Sequence, residues 1–269
     1  MSNKKLKVAL IGAGGRMGKS ITQVLSHSEK LALGFALEKS GSILLGMDSG
    51  VNSGIKENGI LYTEDLHNAI SHSDIIIDFS SNLSTIEVLK QVLISKKPIV
   101  IGTTGLGEPV IQEITRASVS IPIVHSPNMS IGVNLLFKLV EMASSVLKDN
   151  FDIEILDIHH RHKKDAPSGT AQKLKEILLE TLERSEKNVI YGREGLYEER
   201  SHKEIAIHTM RAGEVVGEHT VYFFSPEERL EIRHAAQDRK TFAVGAVRAA
   251  EFISEKKHGL FDMYDVLGL

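Results

Sequence analysis

The run KVALIG at 7–12 passes straight into AGGRMGKSI, and this junction constrains the fold more than any other feature of the chain. A short, β-branched, uncharged run suits a strand buried on both faces. Glycines at 12, 14, 15 and 18 then stand where that strand must turn into a helix. Backbone without side chains lets a pyrophosphate approach the N–H groups at a helix N-terminus. The spacing is not G-x-G-x-x-G, because position 17 is methionine; it reads as G-x-x-G-x-x-G through Gly12, Gly15 and Gly18. Taken alone, it also fits a tight turn that holds no ligand.

The following residues repeat the theme. LALGFAL (31–37), DIIIDF (74–79), PIVIG (98–102) and PIVHS (122–126) read as further buried strands. Helix-like segments at 18–28, 82–96 and 107–118 lie between them. Strand–helix alternation of this kind predicts a doubly wound, Rossmann-like α/β domain over roughly 1–128. The second strand ends at Glu38, twenty residues beyond Gly18, where a carboxylate meets the ribose diol of a dinucleotide. Lys39 and Arg16 are cations placed to offset a 2′-phosphate, so the pattern admits NADPH as well as NADH. The alternative is a solvated Glu–Lys pair at a strand end. IGTTG (101–105) and HSPNMS (125–130) follow strand candidates, and in an open parallel sheet such loops line the ligand crevice.

From 133 the pattern changes. A helix is predicted over 133–148, a strand over 152–158, and a helix over 170–184 with Ser168 or Thr170 as N-cap. Alternating segments at 204–210, 218–224 and 229–235 suit an antiparallel or mixed sheet with one polar face. The tail 241–254 returns to helical spacing, and periodicity does not decide which domain it packs on.

Composition narrows the function classes. With 269 residues, one large or two modest domains are expected. A net charge of −3 gives no global reason to bind nucleic acid or an anionic membrane. The absence of cysteine excludes disulfides, thiolate nucleophiles and zinc–thiolate sites. No run approaches the ~20 apolar residues of a membrane span, and the N-terminus lacks a secretory pattern, so a cytoplasmic location is expected.

Against that background, DIHHRHKKDAPSGTA (157–171) stands out: three histidines, an arginine and two lysines fill positions 159–164. A metal site is disfavoured because adjacent histidines on an extended segment face opposite ways, and no H-E-x-x-H is present. Nucleic acid is disfavoured by the short patch and the lack of interleaved aromatics. A solvated basic loop remains the bland alternative. The favoured reading is a pocket for an anionic substrate with acid–base chemistry: histidine exchanges protons near neutral pH, and a lysine near other cations gives up its proton more readily. PSGT ahead of a helix offers N–H groups and hydroxyls to a carboxylate. A dicarboxylate uses both halves.

The motifs GAGGRMG (12–18), DFS (78–80), GTTG (102–105), SPNMSIGVN (126–134), HHRHKKDAPSGTA (159–171), RAGEVVGEHTV (211–221), FAVGAVRAAEFI (242–253) and GLFDMYDVLGL (259–269) together resemble the 4-hydroxy-tetrahydrodipicolinate reductase family over essentially the whole chain. The resemblance implies hydride transfer from NADPH or NADH to a cyclic imine dicarboxylate in the diaminopimelate route to lysine. It implies His159 as the acid–base residue, Lys163 as proton donor, and His160, Gly169 and Thr170 as substrate-carboxylate ligands. Cofactor contacts are implied at Gly12, Ala13, Gly14, Gly15, Arg16, Met17, Glu38, Lys39, Gly102, Thr103, Thr104, Ser126, Pro127, Asn128 and Met129, with no metal. It further implies a dinucleotide-binding domain over 1–130 completed by 240–269, and a smaller α+β substrate domain over 131–239 that forms a homotetramer. Lys39, Ser126, Met129 and Lys164 depart from residues frequent in the family, and Lys39 puts the NADPH preference in doubt. Two other readings are an NAD(P)-dependent amino-acid semialdehyde dehydrogenase and a non-catalytic dinucleotide sensor.

Overall fold

A computed structural model describes residues 4–196 and 198–269. It divides into two compact units: residues up to Ile131 together with Arg239–Leu269, and Gly132–Asp238.

In chain order the first unit contains β1 (Leu6–Ile11), α1 (Arg16–Leu25), β2 (Leu31–Leu37), α2 (Ser49–Asn52), β3 (Tyr62–Thr63), α3 (Leu66–Ser71), β4 (Ile75–Asp78), α4 (Asn82–Ser95), β5 (Ile99–Ile101), α5 (Glu108–Ser118) and β6 (Pro122–His125). The second unit carries α6 (Ile131–Leu147), β7 (Asp152–His159), α7 (Gly169–Thr181), β8 (Val189–Tyr191), β9 (Ile205–Arg211), β10 (Gly217–Phe224) and β11 (Arg229–Ala236). The chain then returns to the first unit with α8 (Lys240–Ile253), β12 (Gly259–Phe261) and α9 (Met263–Leu267).

The first sheet is parallel throughout, in the order β12-β6-β5-β4-β1-β2-β3. The unbroken apolar runs have a simple cause: period-two alternation sends neighbouring residues to opposite faces, and both faces are covered. Val8, Leu10, Ile75, Ile77 and Val124 pack with Ile21 and Leu25 of α1 and Ala243, Ala246 and Ala250 of α8. Ala9, Ile76, Ile99, Ile101 and Ile123 pack on the other side with Val88 and Val92 of α4 and Ile114 of α5. The alanine-rich stripe of α8 therefore places the tail in the first unit.

The second sheet is mixed, in the order β11-β10-β7-β9-β8. β10 runs antiparallel to β7 and β11, whereas β7, β9 and β8 are mutually parallel. Along β7, Ile153, Ile155, Asp157 and His159 are buried in strict alternation. Two polar residues thus share an inward face that is otherwise apolar.

Sequence expectation and structure differ at the edges of elements. α1 begins at Arg16, before the expected start at 18, and ends at Leu25. Ser168 caps α7 by accepting a bond from the Ala171 N–H (3.3 Å), so Thr170 lies inside the helix, which ends at Thr181. β3, β8, β12, α2, α3 and α9, of two to six residues each, were not foreseen. Periodicity needs more residues than these offer. Among the described residues, no helix is long and apolar enough to cross a membrane.

Candidate active site

In the first unit, the loops after β1, β2, β4, β5 and β6 supply the candidate cofactor residues. One cavity is lined by Gly15, Arg16, Met17, Phe79, Ser80, Gly102, Thr103, Thr104, Pro127 and Met129. A second shares Gly15, Phe79 and Ser80 with it, and adds Gly12, Glu38, Lys39 and Ser40. The glycine turn fits a pyrophosphate on structural grounds. Gly12 has φ +75°, and a Cβ on Gly18 would come within 2.3 Å of the Gly12 carbonyl oxygen, so α1 lies directly on the turn. Gly15 precedes α1 with no side-chain cap, which leaves the helix start open to an anion.

Not every expected residue lines a cavity. Ala13 is fully buried in the core. The Gly14 N–H donates to Glu38 Oε1 (2.8 Å), tying the carboxylate expected at a ribose to the glycine turn itself. Ser126 and Asn128 shape their own loop: the Ser126 hydroxyl donates to the Asn128 carbonyl (2.9 Å), and Asn128 Oδ1 accepts the Ser130 N–H (2.9 Å).

Asp78 was legible only as part of the motif DFS, yet it organises this end of the sheet. Fully buried, it accepts from the Ser80 N–H (2.9 Å), the Ser80 hydroxyl (2.6 Å) and the Thr85 hydroxyl (2.7 Å). Its carbonyl accepts the Gly102 N–H (2.9 Å), so one residue joins the loops after β4 and β5. Burial pushes the Asp78 carboxyl up, against the pull of those donors.

The basic cluster sits at the end of β7 in the second unit: the strand buries His159, and the turn that follows it divides the rest. His159 is buried, His160 and Lys163 are half-buried, and Arg161, His162 and Lys164 are exposed. His162 faces Glu214 (3.3 Å). Lys163 pairs with Asp165 (2.8 Å), an opposite charge, where the sequence had suggested a lysine surrounded by cations. Lys163 N–H donates to the His160 carbonyl (3.1 Å), a tight turn that folds the cluster back on itself. Gly169 and Thr170 open α7, and a Cβ on Gly169 would meet nothing within 4 Å. With neither positive φ nor crowding at 169, the fold itself does not require glycine there.

Asp157, two residues before His159 on the same face, was missed as a site residue. Its Oδ1 lies 2.8 Å from His159 Nδ1 and 3.3 Å from His219 Nε2. Its Oδ2 accepts the Ser168 N–H (2.8 Å) and Arg211 NH2 (3.1 Å). His219 Nε2 also lies 3.0 Å from the Ser168 hydroxyl. Asp157, His159 and His219 bring metal-ligand atoms within 4.8 Å of one another. That grouping uses a histidine from β10, not the adjacent histidines of the motif. The Arg211 guanidinium beside the same carboxylate already neutralises it and opposes a further cation.

Burial pushes the Asp157 carboxyl up, but the His159, His219, Ser168 and Arg211 donors outweigh it and hold the group far below the usual carboxylate range. Burial holds the His219 imidazole below its ordinary 6.5, against the pull of Asp157. Burial acts in the same direction on His125 and His234. For such histidines the folded pKa lies below the unfolded one. Their stabilising contribution is complete above the ordinary imidazole value of 6.5 and is lost as pH falls below it. Asp157 stays ionised through this window, and its contribution fades only below the ordinary carboxylate value of 3.8. Urea midpoints should therefore drop between about pH 7.5 and about pH 5, and less in His219→Gln than in the parent. Equal slopes would remove His219 from the explanation.

Residues 6–129 match the family described as dihydrodipicolinate reductase, N-terminus, and residues 132–267 match dihydrodipicolinate reductase, C-terminus. Among solved structures, the dipicolinate-bound dihydrodipicolinate reductase from Paenisporosarcina sp. TG-14 is similar, at 23% identity and TM-score 0.78, over 97% of this chain and 99% of that one. A probable dehydrogenase from Thermotoga maritima is similar at 11% identity and TM-score 0.62, over 97% and 92% of the two chains. GenD2 from gentamicin A biosynthesis, in complex with NAD, is similar at 12% identity and TM-score 0.55, over 99% and 91%. The last two share the fold alone. The two family matches span nearly all of the sequence, on both units, and the chain belongs to the dihydrodipicolinate reductase family.

Proposed function

We propose how this chain's own residues carry out the reduction that defines its family: conversion of 4-hydroxy-2,3,4,5-tetrahydrodipicolinate to 2,3,4,5-tetrahydrodipicolinate with an NAD(P)-type cofactor, in the diaminopimelate route to lysine. The first unit is the dinucleotide-binding domain, and the second is the substrate-binding and tetramerisation domain. The single observation that carries the assignment is the grouping at and after the end of β7: a buried His159, a half-buried Lys163 and the uncrowded Gly169 at the Ser168-capped start of α7.

Bound reduced nicotinamide supplies one hydride, to C4 of the ring. The protein's part is to bind, orient and move protons. The α7 N-terminus presents Gly169 and Thr170 to one ring carboxylate, where the helix start favours an anion. His160 takes the other carboxylate. His159 exchanges the proton that lets the 4-hydroxyl depart as water, and Lys163 donates the proton that completes reduction. One hydride and one proton enter, and one water leaves.

On the cofactor side, the turn Gly12–Met17 would hold the pyrophosphate through its α1 end at Gly15–Met17, Gly102 to Thr104 and the loop Ser126–Met129, through Pro127 and Met129, would flank the nicotinamide half, and Glu38 with Lys39 would meet the adenosine ribose. Glu38 favours a free diol, whereas Lys39 and Arg16 favour a 2′-phosphate, which supports use of both NADH and NADPH. Lysine offers a point charge where arginine would offer a planar fork, so preference for NADPH should be modest. We place the protein in the cytoplasm as a homotetramer.

The test is oxidation of NADH and NADPH in parallel, with substrate generated from pyruvate and aspartate semialdehyde by a separate synthase. Synthase-dependent oxidation is the expected result. Oxidation with the semialdehyde alone would favour the dehydrogenase reading, and cofactor binding without oxidation would favour the sensor. Gly169→Val offers a sharper check on the anion turn. Because a Cβ there meets nothing, Tm should stay within about 2 °C of the parent, consistent with a surface change of ~0.5 kcal/mol or less. KM for the dicarboxylate should rise at least about tenfold, the loss of one charge-assisted contact of roughly 1.5–3 kcal/mol. An unchanged KM would remove the turn from the substrate site.

A further inference from the structure

We propose that Asp157 is the positioning residue of this site: one buried carboxylate fixes the tautomer of His159 and, through its second oxygen, the backbone turn at Ser168. The proposal rests on His159 being the acid–base residue.

Strand register assembles the group. In β7, Asp157 and His159 share the inward face, as residues two apart must. His219 of β10 is the direct cross-strand partner of Asp157, and Arg211 of β9 is the direct partner of His159. Asp157 is 0% exposed, His219 3% and His159 8%. A carboxylate so deep needs compensating donors or charge; here Oδ2 takes the hydrogen bonds, and Oδ1 has only the close approach of two histidine nitrogens. Oδ2 takes the Ser168 N–H at 2.8 Å and Arg211 at 3.1 Å, which pins the residue just before the Gly169–Thr170 turn. Oδ1 faces His159 Nδ1 at 2.8 Å.

The two atoms are not aligned as a hydrogen bond, but a lone pair on Nδ1 facing a carboxylate oxygen at 2.8 Å is repelled, so the carboxylate favours the proton on Nδ1. Nε2 is then the nitrogen that exchanges protons. The surroundings agree: Nε2 lies beside Gly217, where a Cβ would stand 2.9 Å away. Glycine at 217 keeps that nitrogen uncovered. Without Asp157, His159 is free to place its proton on either nitrogen, and only one arrangement leaves Nε2 able to accept.

A role confined to stapling β9 to β7 through Arg211 would predict loss of fold and nothing else. Three measurements on the full chain separate the two. In the parent, 15N NMR of labelled histidine, with His159 assigned by its loss in His159→Asn, should show neutral His159 protonated on Nδ1. In Asp157→Asn, the amide oxygen can keep the Ser168 N–H while its NH2 group faces Nδ1, so the proton should move to Nε2. There kcat should fall about 10- to 100-fold, the usual cost of losing such an outer partner. NADPH affinity should stay within twofold. Asp157→Glu, which keeps the charge, should recover part of kcat.

The proposal is overturned if parent His159 carries its proton on Nε2, a result that needs no variant to fold. It is equally overturned if folded Asp157→Asn keeps the parental kcat, or if Asp157→Glu is no better than Asp157→Asn. If His159→Asn itself retains turnover, the assignment of the acid–base residue fails first. If His159→Asn collapses turnover and Asp157→Asn does not, only this inference fails.

Discussion

Lys163→Ala lowers kcat by about 10²–10⁴-fold, the span expected for removal of a positioned proton donor, and leaves NADPH affinity unchanged. The reasons lie in where the side chain sits. Lys163 is on the loop after β7, in the second unit, whereas the glycine turn proposed to receive the dinucleotide is in the first. Its ammonium group pairs with Asp165 at 2.8 Å, and Asp165 is largely exposed, so the pair adds little to stability. Truncation therefore costs chemistry and not fold, with Tm within about 2 °C of the parent. Lys163→Arg should not rescue: the charge returns, but a guanidinium does not give up its proton at neutral pH. Stopped-flow measurement of the reduction step, with cofactor binding titrated separately, reads both quantities. Equal losses of NADPH affinity and kcat in Lys163→Ala would contradict the assigned role, as would full activity in Lys163→Arg.

Gly12→Ala should strike the other half of the machinery. Gly12 has φ +75°, a region that costs an L-residue about 1–2 kcal/mol. The added Cβ would also stand 2.6 Å from the Phe79 carbonyl oxygen, a backbone atom that cannot swing aside. Overpacking of this kind adds about 1–3 kcal/mol. A combined cost near 3 kcal/mol must come out of stability or out of cofactor binding. The expected result is a Tm lower by about 6–12 °C, an NADPH Kd higher by up to about 100-fold, or a share of each. Calorimetry and fluorescence titration of the same sample measure the two shares. A variant unchanged in both would mean that the turn adjusts freely and that its geometry is not what recognises the dinucleotide.

The chain's chemistry was more legible in sequence than its contacts. Buried parallel strands announce themselves as apolar runs, so β1, β2, β4, β5 and β6 could be read directly. β3 has two residues and β12 three, too few to carry a period, and only pairing with β2 and β6 makes them strands. The placement of α8 depended on its alanine face meeting Val8, Leu10 and Ile75, a long-range fact that helical spacing does not contain. In the site, the cluster 157–171 was conspicuous by its charge, but the phase of β7 settles only Asp157 to His159, and the turn beyond the strand divides the rest. Asp157 was within reach of the same reasoning, since D-x-H in a strand puts both side chains on one face. His219 and Arg211 lay inside the motif RAGEVVGEHTV (211–221), but nothing in the sequence placed them beside Asp157: they join the site only through the register of β10 and β9, roughly fifty to sixty residues away.

The most direct measurement of the central claim follows the hydride. NADPH deuterated at C4 of the nicotinamide is supplied with substrate made in situ by the synthase, and the product is examined by mass spectrometry and NMR. The account predicts one deuterium per product, at C4 of the tetrahydrodipicolinate ring, with the rate of label transfer, not the label per product, falling in Lys163→Ala in step with kcat. Cofactor oxidation that leaves the ring unlabelled, or label found in a reduced aspartate semialdehyde, would contradict it.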